Sequence, residues 1–142
     1  MEIHTVERDL AVLAISCEMR PKRPLSLSDG TLLLWPGYNE KMCAEKRLLE
    51  KGAGVINELF RLGEENPRLT GVALSAIGDI LLNEHREPFQ IEKEKGSEDY
   101  WVIRWKTGEG LSRSDPDMIA LERDRAIAAF RTWLSTRGYL VR

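Results

Sequence analysis

With 42% hydrophobic and 31% charged residues over 142 positions, the chain has the make-up of a folded globular protein, not of a disordered one. Its longest apolar stretch, Leu10 to Ile15, falls far short of the ~20 residues that span a bilayer. A formal net charge of −2 offers no general attraction to nucleic acid or to anionic membrane.

The length suits one domain, residues 1–142. Cys17 and Cys43 stand among apolar neighbours without CxxC spacing, as buried thiols do in a reduced compartment. Glu2, Glu7 and Asp9 occupy the stretch where a secretory signal carries a basic start, so the expected location is the cytoplasm.

Val6, Leu10, Leu13 and Cys17 recur at helical spacing behind Thr5, a candidate N-cap. Val12 and Ile15 make the opposite side apolar as well, so a helix here is covered on two sides; a buried strand over 10–17 is the rival reading. Pro21 and Pro24 end the element. Leu25–Ser28 and Thr31–Trp35 then flank Asp29-Gly30, a dipeptide favoured in two-residue hairpin turns. That register pairs Leu27 with Leu32 and Leu25 with Leu34, collecting four leucines on one face.

Asn39 is placed to cap a helix whose stripe runs Met42, Leu49, Ala53, Ile56 and Phe60, with Gly52 and Gly54 marking a bend or break. Asn66-Pro67 reads as a turn, and Thr70 as the cap of a helix with Leu69, Ala73, Ala76, Ile77 and Ile80 on one face. Phe89–Glu94 and Tyr100–Lys106 form a second hairpin around Gly96-Ser97. The last helix is punctuated by Asp115, Pro116 and Asp117, has a core stripe of Ile119, Ala126, Ile127, Phe130, Trp133 and Leu134, and ends at Gly138. Tyr139–Val141 adds a short edge strand.

The segment Tyr100-Trp101-Val102-Ile103-Arg104-Trp105-Lys106 concentrates three of the chain's ten aromatic residues. A two-residue loop puts Phe89 and Ile91 on the face of Tyr100 and Val102, leaving Trp101, Ile103 and Trp105 on the other. That second face reads as buried under a helix, as a protein-binding surface, or as a stack for bases with Arg104 and Lys106 nearby. Alternation, however, turns those two cations away from the tryptophans.

Reactive chemistry is poorly supported. Cys43 lies about one turn inside a predicted helix, but a nucleophile needs a base and the histidines are His4 and His85 alone. Zinc ligands come as close pairs, and none of these four residues is paired. Gly52-Ala53-Gly54 lacks the preceding strand of a dinucleotide loop. Glu92, Glu94, Glu98 and Asp99 alternate with Lys93 and Lys95, which describes a solvated turn. Arg123 and Arg137 fall at the edge of the last helix's stripe, where a stem covers apolar surface and the guanidinium reaches outward.

These readings converge on an α+β fold: two β-hairpins forming a small antiparallel sheet packed against three or four helices. The expected function is that of a small non-enzymatic regulator, an adaptor or inhibitor working through protein contacts or self-association, with no cofactor or metal. Trp101, Ile103 and Trp105 are the candidate partner surface. The alternative is nucleic-acid binding, with Arg104, Lys106, Arg113, Arg123, Arg125, Arg131 and Arg137 as candidate phosphate contacts. In element order, residues 39–106 are similar to the winged-helix modules of DNA-binding proteins. The helix in the reading position, 70–82, carries Asp79 as its sole charge.

Overall fold

The computed structural model describes residues 4–18, 22–84, 86, 89–93, 101–107, 110–113 and 123–140, the strands from 89 onward by their main chain. Helix α1, Val6–Cys17, opens with the Thr5 hydroxyl accepting the Arg8 N–H at 3.1 Å. Its two-sided apolar pattern is a helix and not a strand, and Leu10, Ala11, Val12 and Ile15 are fully enclosed. Lys22 closes the other end. Its Nζ donates to the carbonyls of Ile15, Ser16 and Glu18 at 3.3, 2.8 and 3.0 Å, and it lies 4.9 Å over the Trp35 ring. Unsatisfied C-terminal carbonyls attract cations for this reason.

Strands β1, Leu25–Ser26, and β2, Leu32–Leu33, make the first hairpin, with its register one residue away from the expected one. Leu25 pairs with Leu33 and Ser26 with Leu32. Leu27 N–H donates to Thr31 O at 2.8 Å, and Gly30 N–H to Leu27 O at 3.0 Å, which encloses the three-residue loop Ser28-Asp29-Gly30. Gly30, at φ +90°, takes the left-handed position such a loop requires. Thr31 N–H donates to the Asp29 carboxylate and holds it below its usual range. Glu7 accepts from both the N–H and hydroxyl of Ser28. Because side chains alternate along a strand, the shift reverses part of the leucine face. Leu25, Leu27 and Leu33 are buried, whereas Leu32 and Leu34 are 58% and 61% exposed.

Helix α2 runs Tyr38–Lys51, starting at Gly37 and not behind Asn39. It is tied to α1 by Arg47, which grips the fully buried Asp9 carboxylate through Nε (3.1 and 3.2 Å) and Nη2 (2.9 Å). The hydrogen bond to Asp9 raises the Arg47 guanidinium further above its ordinary value. The glycines do break this helix. Gly52 turns at φ +70°, Gly52–Val55 form a single 3-10 turn, and α3 follows as Ile56–Glu65. Glu84 accepts from Ala53 N–H at 2.8 Å and occupies the space a Cβ on residue 52 would need.

Asn66, not Thr70, caps α4, Pro67–Asn83, by accepting from Arg68 N–H, and Pro67 takes the first turn. Thr70 instead donates to Gly63 O at 2.5 Å, where α3 and α4 cross closely over Gly63. Helix α4 is the centre of the fold. It contacts α1, α2, α3 and β3, and nine of its residues are buried. A helix apolar over most of its circumference belongs inside.

Strands β3, Phe89–Lys93, β4, Trp101–Thr107, and β5, Gly110–Arg113, form a separate antiparallel sheet. The two hairpins thus do not join into one sheet, and the second carries an extra strand. The last helix, α5, is described over Arg123–Thr136; Asp115, Pro116, Asp117 and Ile119 lie outside the described residues. Ala126, Ile127, Phe130 and Leu134 complete the core as expected, whereas Trp133, expected with them, is only partly buried against it. Tyr139 is not in a strand: its N–H returns to Leu134 O at 2.9 Å and its ring stacks on Trp133. In outline the chain is mostly helical with small antiparallel pairs, an α+β fold.

Candidate functional site: an exposed apolar strip and a three-helix groove

The large apolar side chains most open to solvent among the described residues follow one another along the chain. Leu32 and Leu34 on the outer side of β2 lead to Tyr38 and Met42 on α2, 66% and 53% exposed. The hairpin register turns the two leucines outward, and i, i+4 spacing aligns Tyr38 with Met42. Lys41 sits 5.4 Å from the Tyr38 ring centroid and pairs with Glu45 at 2.8 Å; that hydrogen bond raises the ammonium above its ordinary 10.5.

Beside this strip, α1, α2 and α4 surround a groove of about 480 Å³. Its apolar floor comes from Leu13, Leu48, Leu49, Val72, Ala76 and Ile80. Lys41 and Glu45 of α2, Ser75 and Asp79 of α4, and Cys17 of α1 also line it. Sequence reasoning missed the groove, since its residues alternate with core positions on three separate helices. Both thiols are exposed, correcting the buried reading: Cys43 falls on the outward side of α2, and Cys17 at the end of α1. No group of three metal-binding side chains occurs among the described residues.

The sheet brings the proposed partner residues into a different company. Trp101, Ile103 and Trp105 pair with Lys93, Ile91 and Phe89, so the register is again one residue from the expected one. Directly paired residues share a face, which places Phe89 and Ile91 with the tryptophan positions and not with Val102. Arg104 and Lys106 occupy the opposite face, where Arg104 pairs with Arg113.

The arginines of α5 are partly absorbed by the fold. Arg123 donates to Thr70 Oγ1 at 3.0 Å and Glu64 O at 3.1 Å, sealing the end of α3. Arg131 pairs with Glu64 and lies over Phe60, and Arg137 lies 4.4 Å over Trp133. Arg125 is exposed. Helix α4, which contains the 70–82 segment considered as a reading helix, has nine of its residues buried. Among the described residues no helix is long and apolar enough to cross a membrane. No protein-family model matches the chain, and neither does any curated protein or solved structure.

Proposed function

We propose that the protein is a small non-enzymatic regulator, an adaptor or inhibitor, that works through protein–protein contacts. The observation that carries this reading is the strip Leu32, Leu34, Tyr38 and Met42, each more than half exposed. Large apolar side chains left in water, where they gather into a patch, mark interaction sites. The aromatic positions Trp101, Ile103 and Trp105 extend the candidate partner surface to the second sheet. Sedimentation of the wild type and a Leu34→Lys/Met42→Lys variant, alone and with captured partners, tests the strip. Association lost at an unchanged thermal midpoint supports the reading; equal association in both proteins refutes it.

Nucleic-acid binding is the second reading. It is favoured by the ladder, which gathers Arg104, Lys106 and Arg113 on one sheet face. Like charges directly opposed destabilise a sheet unless an anion compensates them. Affinity for duplex or single-stranded DNA would then fall steeply with salt through counterion release, and a flat response excludes this mode.

A further inference from the structure

The two edges of the first hairpin are finished differently. Leu27 N–H donates to Thr31 O, Ser26 stands opposite Leu32, and Leu25 pairs with Leu33. In an antiparallel pair, residues between two bonded positions turn their main-chain groups away from the partner strand. The N–H and C=O of Leu32 therefore point outward from β2, and alternation carries those of Leu34 to the same side. Among the described residues no hydrogen bond reaches either main chain. The β1 edge, by contrast, is closed at its start. Pro24 has no N–H, and the carbonyls of Pro24 and Arg23 accept from Arg68 at 2.7 and 2.9 Å.

An open strand edge is a template for another strand, and proteins blunt such edges with charge, proline or a bulge. Residues 31–35, Thr-Leu-Leu-Leu-Trp, carry neither charge nor proline. Leu32 and Leu34 also present their side chains to solvent, at 58% and 61% exposure. Main chain and side chains are open at the same two residues, which suits a partner that brings both a strand and an apolar face. A second copy of β2 does so under two-fold symmetry, where one patch meets itself. With Leu33 on the axis, Leu32 stands opposite Leu34 of the second copy, and Leu34 opposite Leu32 of the second copy. Each opposed pair then exchanges both of its hydrogen bonds, and every exposed leucine of β2 faces a leucine.

We propose that two copies of this chain associate by antiparallel pairing of their β2 edges, forming a β1-β2-β2-β1 sheet with Leu32 and Leu34 of both copies clustered on one face. This deepens the protein-contact reading of the strip, on which it rests, by naming a second copy as the partner. So short a ladder belongs among weak, concentration-dependent contacts.

The test is sedimentation equilibrium over a concentration series reaching about 1 mM, the weak end of the affinity scale, with amide hydrogen exchange at both ends of the series. The expected result is a monomer–dimer equilibrium. The Leu32 and Leu34 amides should slow about tenfold once about nine-tenths of the chain is dimeric, since only the remaining monomer exchanges them. The Leu33 amide, which already faces β1, should not change. Register is tested by Leu32→Lys and Leu34→Glu, both at exposed positions where folding tolerates substitution. Each alone sets a charge against a leucine at both ends of the ladder and should weaken pairing about tenfold. Mixed, the two variants should form a heterodimer near wild-type strength, because the altered positions are opposed and opposite in charge. A monomer at every concentration, unchanged exchange at Leu32 and Leu34, or no gain on mixing overturns the proposal. A monomer that still captures another protein through Leu34 and Met42 overturns the self-pairing alone and leaves the function reading standing.

Discussion

Replacing Leu33 and Leu34 separately by Ala tests the first hairpin's register. Leu33 is 8% exposed and belongs to the core cluster; Leu34 is 61% exposed. Truncating a buried leucine removes transfer free energy and leaves a cavity, at about 2–5 kcal/mol. The hairpin sits at the edge of the core and can partly collapse around the loss, so Leu33→Ala should fall near the lower end, about 2–3 kcal/mol. For a chain of this size that is a fall of ~10 °C in the thermal midpoint. Leu34→Ala should stay within about 0.5 kcal/mol, as surface changes do. Urea unfolding, with the midpoint compared at constant slope, gives both numbers. Equal losses, or a larger loss at Leu34, would show that the strand pairs as a two-residue turn dictates and would refute the three-residue loop.

Two further predictions concern contacts that join elements. Arg68 holds Glu18 through Nε at 3.0 Å and Nη2 at 2.6 Å, and this hydrogen bonding keeps the carboxyl below its ordinary 4.5. A depressed folded pKa contributes stability that is present above the unfolded value and lost as pH falls through the folded one. The urea midpoint should therefore drop below pH 4.5, and Glu18→Gln should flatten that limb; an unchanged acid limb in the variant would count against the pair. At the α3–α4 crossing, a Cβ on Gly63 would meet Ala73 Cβ at 2.7 Å and Thr70 Cα at 3.4 Å. Gly63→Ala should cost about 1–3 kcal/mol by overpacking. Adding Ala73→Gly should give a favourable coupling in a double-mutant cycle, and strict additivity would argue against the close approach.

The helices were more legible in the sequence than the faces of the strands, and the reason is local. Asn66-Pro67 and Gly52 act on the chain by fixing or freeing φ, so they mark boundaries wherever the packing goes. Register has no such marker here. Leu32, Leu33 and Leu34 are apolar at three successive positions, so the pattern does not say which parity faces inward. Asp29-Gly30 suits both a two-residue turn and a three-residue loop with Gly in the left-handed position. The second hairpin follows the same rule, with a run apolar at both parities and a glycine-serine pair suggesting a register one residue from that of β3 and β4. Thr70 was mistaken for a cap because its hydroxyl serves a tertiary contact, to Gly63 and Arg123, that no local pattern announces. The general burial tendency of free cysteine likewise gave way to helix geometry at Cys17 and Cys43.

The grip of Lys22 on the end of α1 has a consequence for proteolysis. The Lys22–Arg23 bond is of the type trypsin cuts, yet three carbonyls and the Trp35 ring hold the side chain that the protease must take into its specificity pocket. Cleavage there requires the end of the helix to open first. When reclosing is fast relative to cutting, the digestion rate measures the population of that opened state. The junction between α1 and the first hairpin thus carries its own gauge of local opening, readable in the unlabelled wild-type chain.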